Sequence, residues 1–173
     1  MLIKELKTMT ANTNLKNMVL HSLHHVKDPE IATISIVDLG MVENIKVSES
    51  SVIIELLPTF MGCPALEIIR NNVIQEVSKL HLFAQIDVQF IYDPPWTSER
   101  ITDKGKEALK QFGIAPPPKH ISETGEWHVN CPFCESTFTT IENIFGPTAC
   151  RSILYCKTCK NPFEAMKPVS TLM

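Results

Sequence analysis

Four cysteines in two tight pairs constrain this chain more than any other feature. Cys131-Pro132-Phe133-Cys134 and Cys156-Lys157-Thr158-Cys159 repeat the same Cys-x2-Cys spacing, with 21 residues between the pairs. Four thiolates presented by two short turns make the tetrahedral sulfur cage that Zn²⁺ prefers. A rubredoxin-like iron site would use the same ligands and stands as the alternative. A segment of about 45 residues buries too little surface to be stable alone, so bound metal must supply the missing folding energy. Residues 126–173 are therefore expected to form a small zinc ribbon held by Cys131, Cys134, Cys156 and Cys159. His128 and Cys150 break the paired spacing and stay outside the ligand set. Cys150, in Thr148-Ala149-Cys150, is expected to pack against or touch the neighbouring domain.

The ribbon leaves most of the 173 residues for one ordinary domain. Ala115-Pro116-Pro117-Pro118-Lys119 marks the boundary, because consecutive prolines make a stiff, extended spacer over 115–125. Ahead of it, residues 1–13 read as a flexible lead-in and 14–114 as the folded unit. Leu15, Met18, Val19, Leu23 and Val26 form an apolar stripe on a helix over 14–26, with Asn14 as its N-cap. Met41–Val47 and Val52–Leu57 read as strands joined through Ser48-Glu49-Ser50-Ser51. A helix over Ala65–Leu80, a half-buried strand over Ile86–Tyr92 and a helix over Asp103–Phe112 follow; Thr102 caps the last and Gly113 stops it. The order predicts a small α/β (α+β) sandwich, with helices packed on a three-stranded mixed sheet. Trp96, after two prolines, is a rigidly presented aromatic that could be a core lid or a partner contact.

One turn in this domain carries chemistry. Pro58-Thr59-Phe60-Met61-Gly62-Cys63-Pro64 joins an apolar strand to an amphipathic helix and puts Cys63 at the helix entry. Unpaired N–H groups and the positive end of the dipole would favour a thiolate there and lower its pKa. A small buried apolar filler is the competing reading. Asp28, Glu30 and Asp38 place three carboxylates on a loop that could approach Cys63, or could simply shape turns and cap helices. His21, His24 and His25 share a helix face at i, i+3 and i+4; they could bind metal or line a half-solvated surface.

Composition excludes several classes. A formal net charge of −3, with 44% hydrophobic and 20% charged residues, offers no general attraction to nucleic acid or to an anionic membrane. No apolar run approaches the ~18 residues of a membrane span. The first residues lack a signal-peptide core with a cleavage site, so a cytoplasmic location is expected. In that compartment six cysteines point to metal or reactive thiols rather than disulfides.

Asp28-Pro29-Glu30-Ile31, Val37-Asp38-Leu39-Gly40 and Gly62-Cys63-Pro64, in this order, resemble the small α/β domain of SufT-type iron–sulfur assembly factors. Asp93-Pro94-Pro95-Trp96-Thr97, Gly113-Ile114-Ala115-Pro116-Pro117, the two cysteine pairs, Phe145-Gly146-x-Thr148-Ala149-Cys150 and Asn161-Pro162-Phe163-Glu164 narrow the likeness. Together they are similar to the PaaD (PaaJ) family of accessory subunits encoded with phenylacetyl-CoA epoxidase, over roughly residues 15–168. The resemblance implies a non-catalytic subunit that helps mature an iron centre in a ring-epoxidising oxygenase of phenylacetate degradation. Its implied partners are the oxygenase and reductase subunits of that complex, and the iron–sulfur assembly machinery. It assigns the site to Cys63 with Asp28, Glu30 and Asp38, and structural zinc to the ribbon, with iron or an iron–sulfur cluster as transient cargo. Four positions depart from the pattern: Met61 and Leu66 replace hydroxyl residues near Cys63, Ala32 replaces a proline, and Glu135 replaces a glycine.

The residues themselves bound the function. One cysteine cannot hold a cluster that takes four thiolates, so a homodimer or a client ligand would have to complete the site. A general iron–sulfur assembly factor is the alternative within this reading. A nucleic-acid-binding ribbon is disfavoured, because residues 131–173 carry Arg151, Lys157, Lys160 and Lys167 against Glu135, Glu142 and Glu164. A thiol enzyme built on Cys63 has no adjacent histidine base in the sequence, although the three-histidine helix could supply one in space.

Overall fold

The computed structural model describes residues 2–118, 122 and 127–169, with side chains from residue 12 onward. Of the expected spacer, residues 119–121 and 123–125 lie outside the described residues. Helix α1 spans Leu2–Leu23, longer than the stripe over 14–26 predicts, and takes in nearly all of the segment expected as a flexible lead-in. No proline or glycine interrupts this stretch, and its Leu, Lys, Glu and Met residues favour helix, so nothing stops the helix at Asn14.

Strands β1 (Val42–Val47), β2 (Ser51–Leu56) and β3 (Gln85–Phe90) form a mixed sheet in that order, antiparallel then parallel. Helix α2 (Leu66–Ser78) makes the crossover from β2 to β3. Helices α1 and α2 contact each other and pack on β1 and β3 respectively. Val19 and Leu23 of α1 and Ile69, Val73 and Val77 of α2 are buried against Val52, Ile54 and Leu56 of β2, whose side chains alternate inward as a pleated strand requires. The loop expected over 35–40 is core together with its flanks: Ile31, Ile34, Ile36, Leu39 and Met41 are all buried. Trp96 closes this core from the edge, with its indole N–H donating to the Leu39 carbonyl at 3.0 Å. It is a lid, not a partner contact.

Helix α3 (Asp103–Gln111) starts at Thr102, whose hydroxyl accepts from the Gly105 N–H, and it stops at Gly113, where φ is +87°. Gly105 must lack a side chain, since a Cβ there would lie 2.4 Å from the Asp38 carbonyl oxygen. A short 3₁₀ turn at Ser98–Arg100 precedes α3.

The second sheet contains β4 (Ile114–Ala115), β5 (Thr139–Asn143), β6 (Arg151–Cys156) and β7 (Pro162–Met166), in the order β4-β7-β6-β5. Ala115, expected to open the spacer, instead pairs with Ala165 in a parallel edge. The reason is packing: Ile114 is buried in the first core and Ala115 in the second. The second core holds Trp127, Val129, Leu154, Phe163 and Ala165 around Cys131 and Cys156. The two units are also tied at the far end. Met166 is buried in the first core, and Val169 and Ser98 exchange two hydrogen bonds of 2.9 and 2.7 Å.

Candidate functional site

The ribbon cysteines converge as the spacing predicts. The sulfur atoms of Cys131, Cys134, Cys156 and Cys159 all lie within 4.8 Å of one another, with Cys131–Cys159 at 3.7 Å and Cys134–Cys156 at 3.6 Å. Two equivalent turns present them. The Glu135 N–H donates to the Cys131 carbonyl and the Lys160 N–H to the Cys156 carbonyl, each at 2.9 Å. Each turn ends in a left-handed residue, Glu135 at φ +58° and Lys160 at φ +62°. That conformation is the physical reason a glycine suits position 135. Ionisation is shared unevenly within the cage. The backbone N–H of Cys159, then that of Thr158, brings the Cys156 thiol down to about 6 against the cost of burial. At Cys134 the Ser136 N–H pulls downward, but burial and hydrogen bonding among the sulfurs outweigh it and leave that thiol up at about 12. These four residues can hold a metal ion.

The first domain's thiol sits in a different environment. Cys63 lies in the loop between β2 and α2, two residues before the Ala65 cap, half-buried and packed against the first core. The helix entry is expected to lower its pKa; the structure shows the opposite. Burial pushes the Cys63 thiol up, one hydrogen bond from the Ala65 N–H opposes this, and the nearby Cys150, Asp28 and Glu30 push it further up. The helix begins one turn too late to offer Cys63 its several free N–H groups.

Asp28 and Glu30 lie near enough for their charges to act on the Cys63 thiol. Asp28 shapes its own turn, with Oδ1 accepting from the Glu30 and Ile31 N–H groups at 2.9 and 3.0 Å. Burial raises its pKa, more than those two hydrogen bonds and the Arg151 charge lower it. Asp38 is engaged elsewhere. It is buried, accepts from the Ser35 hydroxyl at 2.6 Å and the Thr102 hydroxyl at 3.2 Å, and its backbone carbonyl takes the Thr102 N–H at 3.0 Å. Burial works against its charge, but the two hydroxyls, Lys104 and His24 outweigh it and lower the pKa. Asp38 thus fastens the start of α3 to the 35–40 turn.

The histidine helix face is structural in character. His21 makes edge contacts with His24 and His25 at ring-centroid distances of 6.5 and 6.1 Å. His24 Nδ1 is buried 3.7 Å from Asp38 Oδ2, and His25 Nδ1 is 3.2 Å from the Ser22 carbonyl oxygen. Among the described residues the ribbon cysteines are the one group of three or more metal-ligating side chains that converge this closely. His128 is exposed beside Pro116, Pro117 and Pro118.

Sequence reasoning gave no site role to Cys150 or Arg151. Cys150 lies in the turn before β6, at the junction of the two units, where Arg151 is buried and reaches Glu30 at 3.6 Å. The one available signal was that Cys150 stands outside both pairs.

A small α/β domain with one cysteine, joined to a four-cysteine ribbon, defines a class, and the comparisons agree on both halves. Residues 16–90 match the iron–sulfur cluster assembly protein family, and residues 115–167 match the PaaD zinc beta ribbon domain. The chain is 36% identical over 146 residues to a protein of Escherichia coli named for a subunit of 1,2-phenylacetyl-CoA epoxidase, covering 84% of this chain and 88% of that one. The chain belongs to the PaaD family. It is also 32% identical over 96 residues to the Fe-S protein maturation auxiliary factor YitW of Bacillus subtilis, covering 55% of this chain and 93% of that one. A crystal structure of a DUF59 domain from Bacillus anthracis superposes with a TM-score of 0.56 at 27% identity, covering 58% of this chain and 96% of that one.

Proposed function

We propose that this chain is a non-catalytic accessory subunit that assists assembly of the iron centre of a phenylacetyl-CoA-epoxidising oxygenase, working in the cytoplasm through Cys63. The observation that carries this reading is Cys63 itself, a half-buried thiol on the loop before α2 whose ionisation the Asp28 and Glu30 charges oppose. A thiol flanked by carboxylates suits a metal ligand better than a nucleophile. The same charges that hold it protonated would hold a cation once one arrives. The relative named for an epoxidase subunit supports the client class, and YitW supports iron–sulfur maturation as the task. A general assembly factor is the second reading; YitW favours it, but only over the first domain.

The ribbon cage carries zinc in this reading. Tetrahedral Zn–S bonds of ~2.3 Å give sulfur–sulfur edges of ~3.8 Å, and two of the pairs stand at 3.6 and 3.7 Å. The ribbon's outer surface exposes Phe133, Phe138, Ile141, Ile144 and Phe145, an apolar set suited to docking a protein rather than nucleic acid. The partners are the oxygenase and reductase subunits, with the assembly machinery supplying iron; a client ligand or a second copy completes the coordination in transit. The test is Cys63→Ser co-expressed with the client subunits. Normal melting of the variant with iron-poor, inactive client is the expected result. Full client iron and activity would remove Cys63 from the mechanism.

A further inference from the structure

Among the described residues the two sheets end in β1 and β3 on one side and β4 and β5 on the other. An unpaired edge invites a further strand, and folds blunt it with charge, brevity or cover. β1 carries Glu43 and an exposed Lys46, β3 carries exposed Asp87 and Gln89, and β4 is only two residues long. β5 has little of this protection. Its one charged residue is Glu142, whose carboxylate accepts from the Thr140 hydroxyl at 2.9 Å. Thr139 is buried, with its hydroxyl donating to the Val129 carbonyl at 2.9 Å. Beyond it residues 141–145 are all exposed, Ile141, Ile144 and Phe145 among them. A bulge between Ile141 and Asn143 twists the strand but covers none of these side chains.

Both ends of this edge carry a cation on an aromatic ring. Phe138, just ahead of β5, has the Lys157 ammonium 5.1 Å from its ring centroid, and Phe145, just beyond β5, has that of Lys167 at 5.4 Å. The Lys157 N–H donates to the Phe138 carbonyl at 2.9 Å, and Lys167 Nζ donates to the Ala149 carbonyl at 2.8 Å, so both lysines are held at the strand ends. Among the described residues neither ammonium pairs with a carboxylate. Arg151, by contrast, is spent inside the fold, 2.6 Å from Glu164 and 3.6 Å from Glu30. The exposed edge is thus apolar along its length and positive at its two ends.

We propose that β5 is the docking edge for the client: an extended, largely apolar segment of a client subunit adds to β5 as a further strand, with carboxylates about seven residues apart meeting Lys157 and Lys167. The proposal rests on the reading above that this chain acts on client subunits. Backbone hydrogen bonds along β5 supply affinity, and Phe138, Ile141, Ile144 and Phe145 together with the two lysines select the segment. A second copy of this chain fits the edge less well. Antiparallel pairing of β5 with itself sets the Lys157 end of one copy against the Lys167 end of the other, so like charges meet at both ends.

Hydrogen exchange read by mass spectrometry on the full, zinc-loaded chain, alone and mixed with the client oxygenase and reductase subunits, tests this. The expected result is slowed exchange over residues 139–146 in the mixture, with the β1 edge unchanged. Ile141→Lys places a charge at an exposed edge position and should abolish both the protection and the binding. Lys157→Glu combined with Lys167→Glu should weaken binding about tenfold at low salt and by less at high salt. Complex formation with exchange over 139–146 unchanged would overturn the docking edge. Protection of that segment in the chain alone, with a dimer in sedimentation, would assign the edge to a second copy and overturn the proposal as well. So would the absence of any complex with either subunit. In each case the iron content of clients co-expressed with Cys63→Ser decides the maturation reading separately. The exchange is read on the unsubstituted chain, so its outcome holds even if a variant folds poorly.

Discussion

The ribbon cage and the Cys63 junction use the same donor atom in opposite ways. In the cage, backbone N–H groups lower the Cys156 thiol while Cys131 and Cys134 stay raised, and four thiols already stand at metal-site spacing. Around Cys63, burial first and then the nearby Asp28 and Glu30 charges oppose ionisation of the thiol. The difference lies in the groups around the sulfurs, not in the cysteines. Four sulfurs already converged favour keeping a cation for the life of the fold. Acids around sulfur make a site that is stable empty and fills only when a cation is delivered.

The largest expected effect breaks the cage. Cys131→Ser should abolish metal retention and unfold residues 127–169, because structural zinc contributes on the order of 10 kcal/mol to a fold of this size. Elemental analysis and limited proteolysis check it. The α/β unit should still melt cooperatively but at a lower temperature, since Met166 and the Val169–Ser98 pair leave the first core with the ribbon. Two fully independent transitions, with the first unmoved, would contradict the packing described here.

Next comes the frame between the two regions. Arg151→Met leaves Glu30 and Glu164 facing each other without their cation and should cost about 2–3 kcal/mol. Urea titration measures it, and the melting of the α/β unit and ribbon should separate.

The two aspartates sharpen the contrast between support and site. Asp38 has a lowered pKa, so its contribution is present above the ordinary carboxylate value and is lost as pH falls through the folded pKa. Asp38→Asn should therefore destabilise at neutral pH, and the deficit should shrink below about pH 4. Asp28 has a raised pKa, so its ionised form costs stability once pH rises past the unfolded value. Asp28→Asn keeps the turn-forming oxygen and should be neutral or slightly stabilising at pH 7. Thermal melts against pH distinguish the two.

The smallest effect sits at the cage rim. Glu135→Gly relieves a left-handed backbone and should add about 1 kcal/mol. No gain in melting temperature would mean that the Glu135 side chain compensates.

Much of this was legible from the chain. Periodicity located β1, β2, α2, β3 and α3 within a residue or two, and the paired spacing picked out the four cysteines that converge. Tertiary context set the rest. Asn14 is a plausible cap, yet the helix runs through it. Ala115 looks like spacer until a partner strand, 50 residues on, supplies its hydrogen bonds. Asp38 and Asp28 look equivalent in sequence, but one faces hydroxyls and a lysine and the other faces burial. Cys150, expected to touch the neighbouring domain, sits in the turn whose Arg151 reaches Glu30 of the first unit.

The central claim is that one metal stays and one leaves. Zinc- and iron-loaded protein incubated anaerobically with iron-free client subunits, then separated and analysed for both elements, tests it most directly. Zinc should remain at one per chain while iron moves to the client, and Cys63→Ser should carry zinc but no transferable iron. Iron that stays with this protein, or zinc that departs alongside it, would contradict the claim.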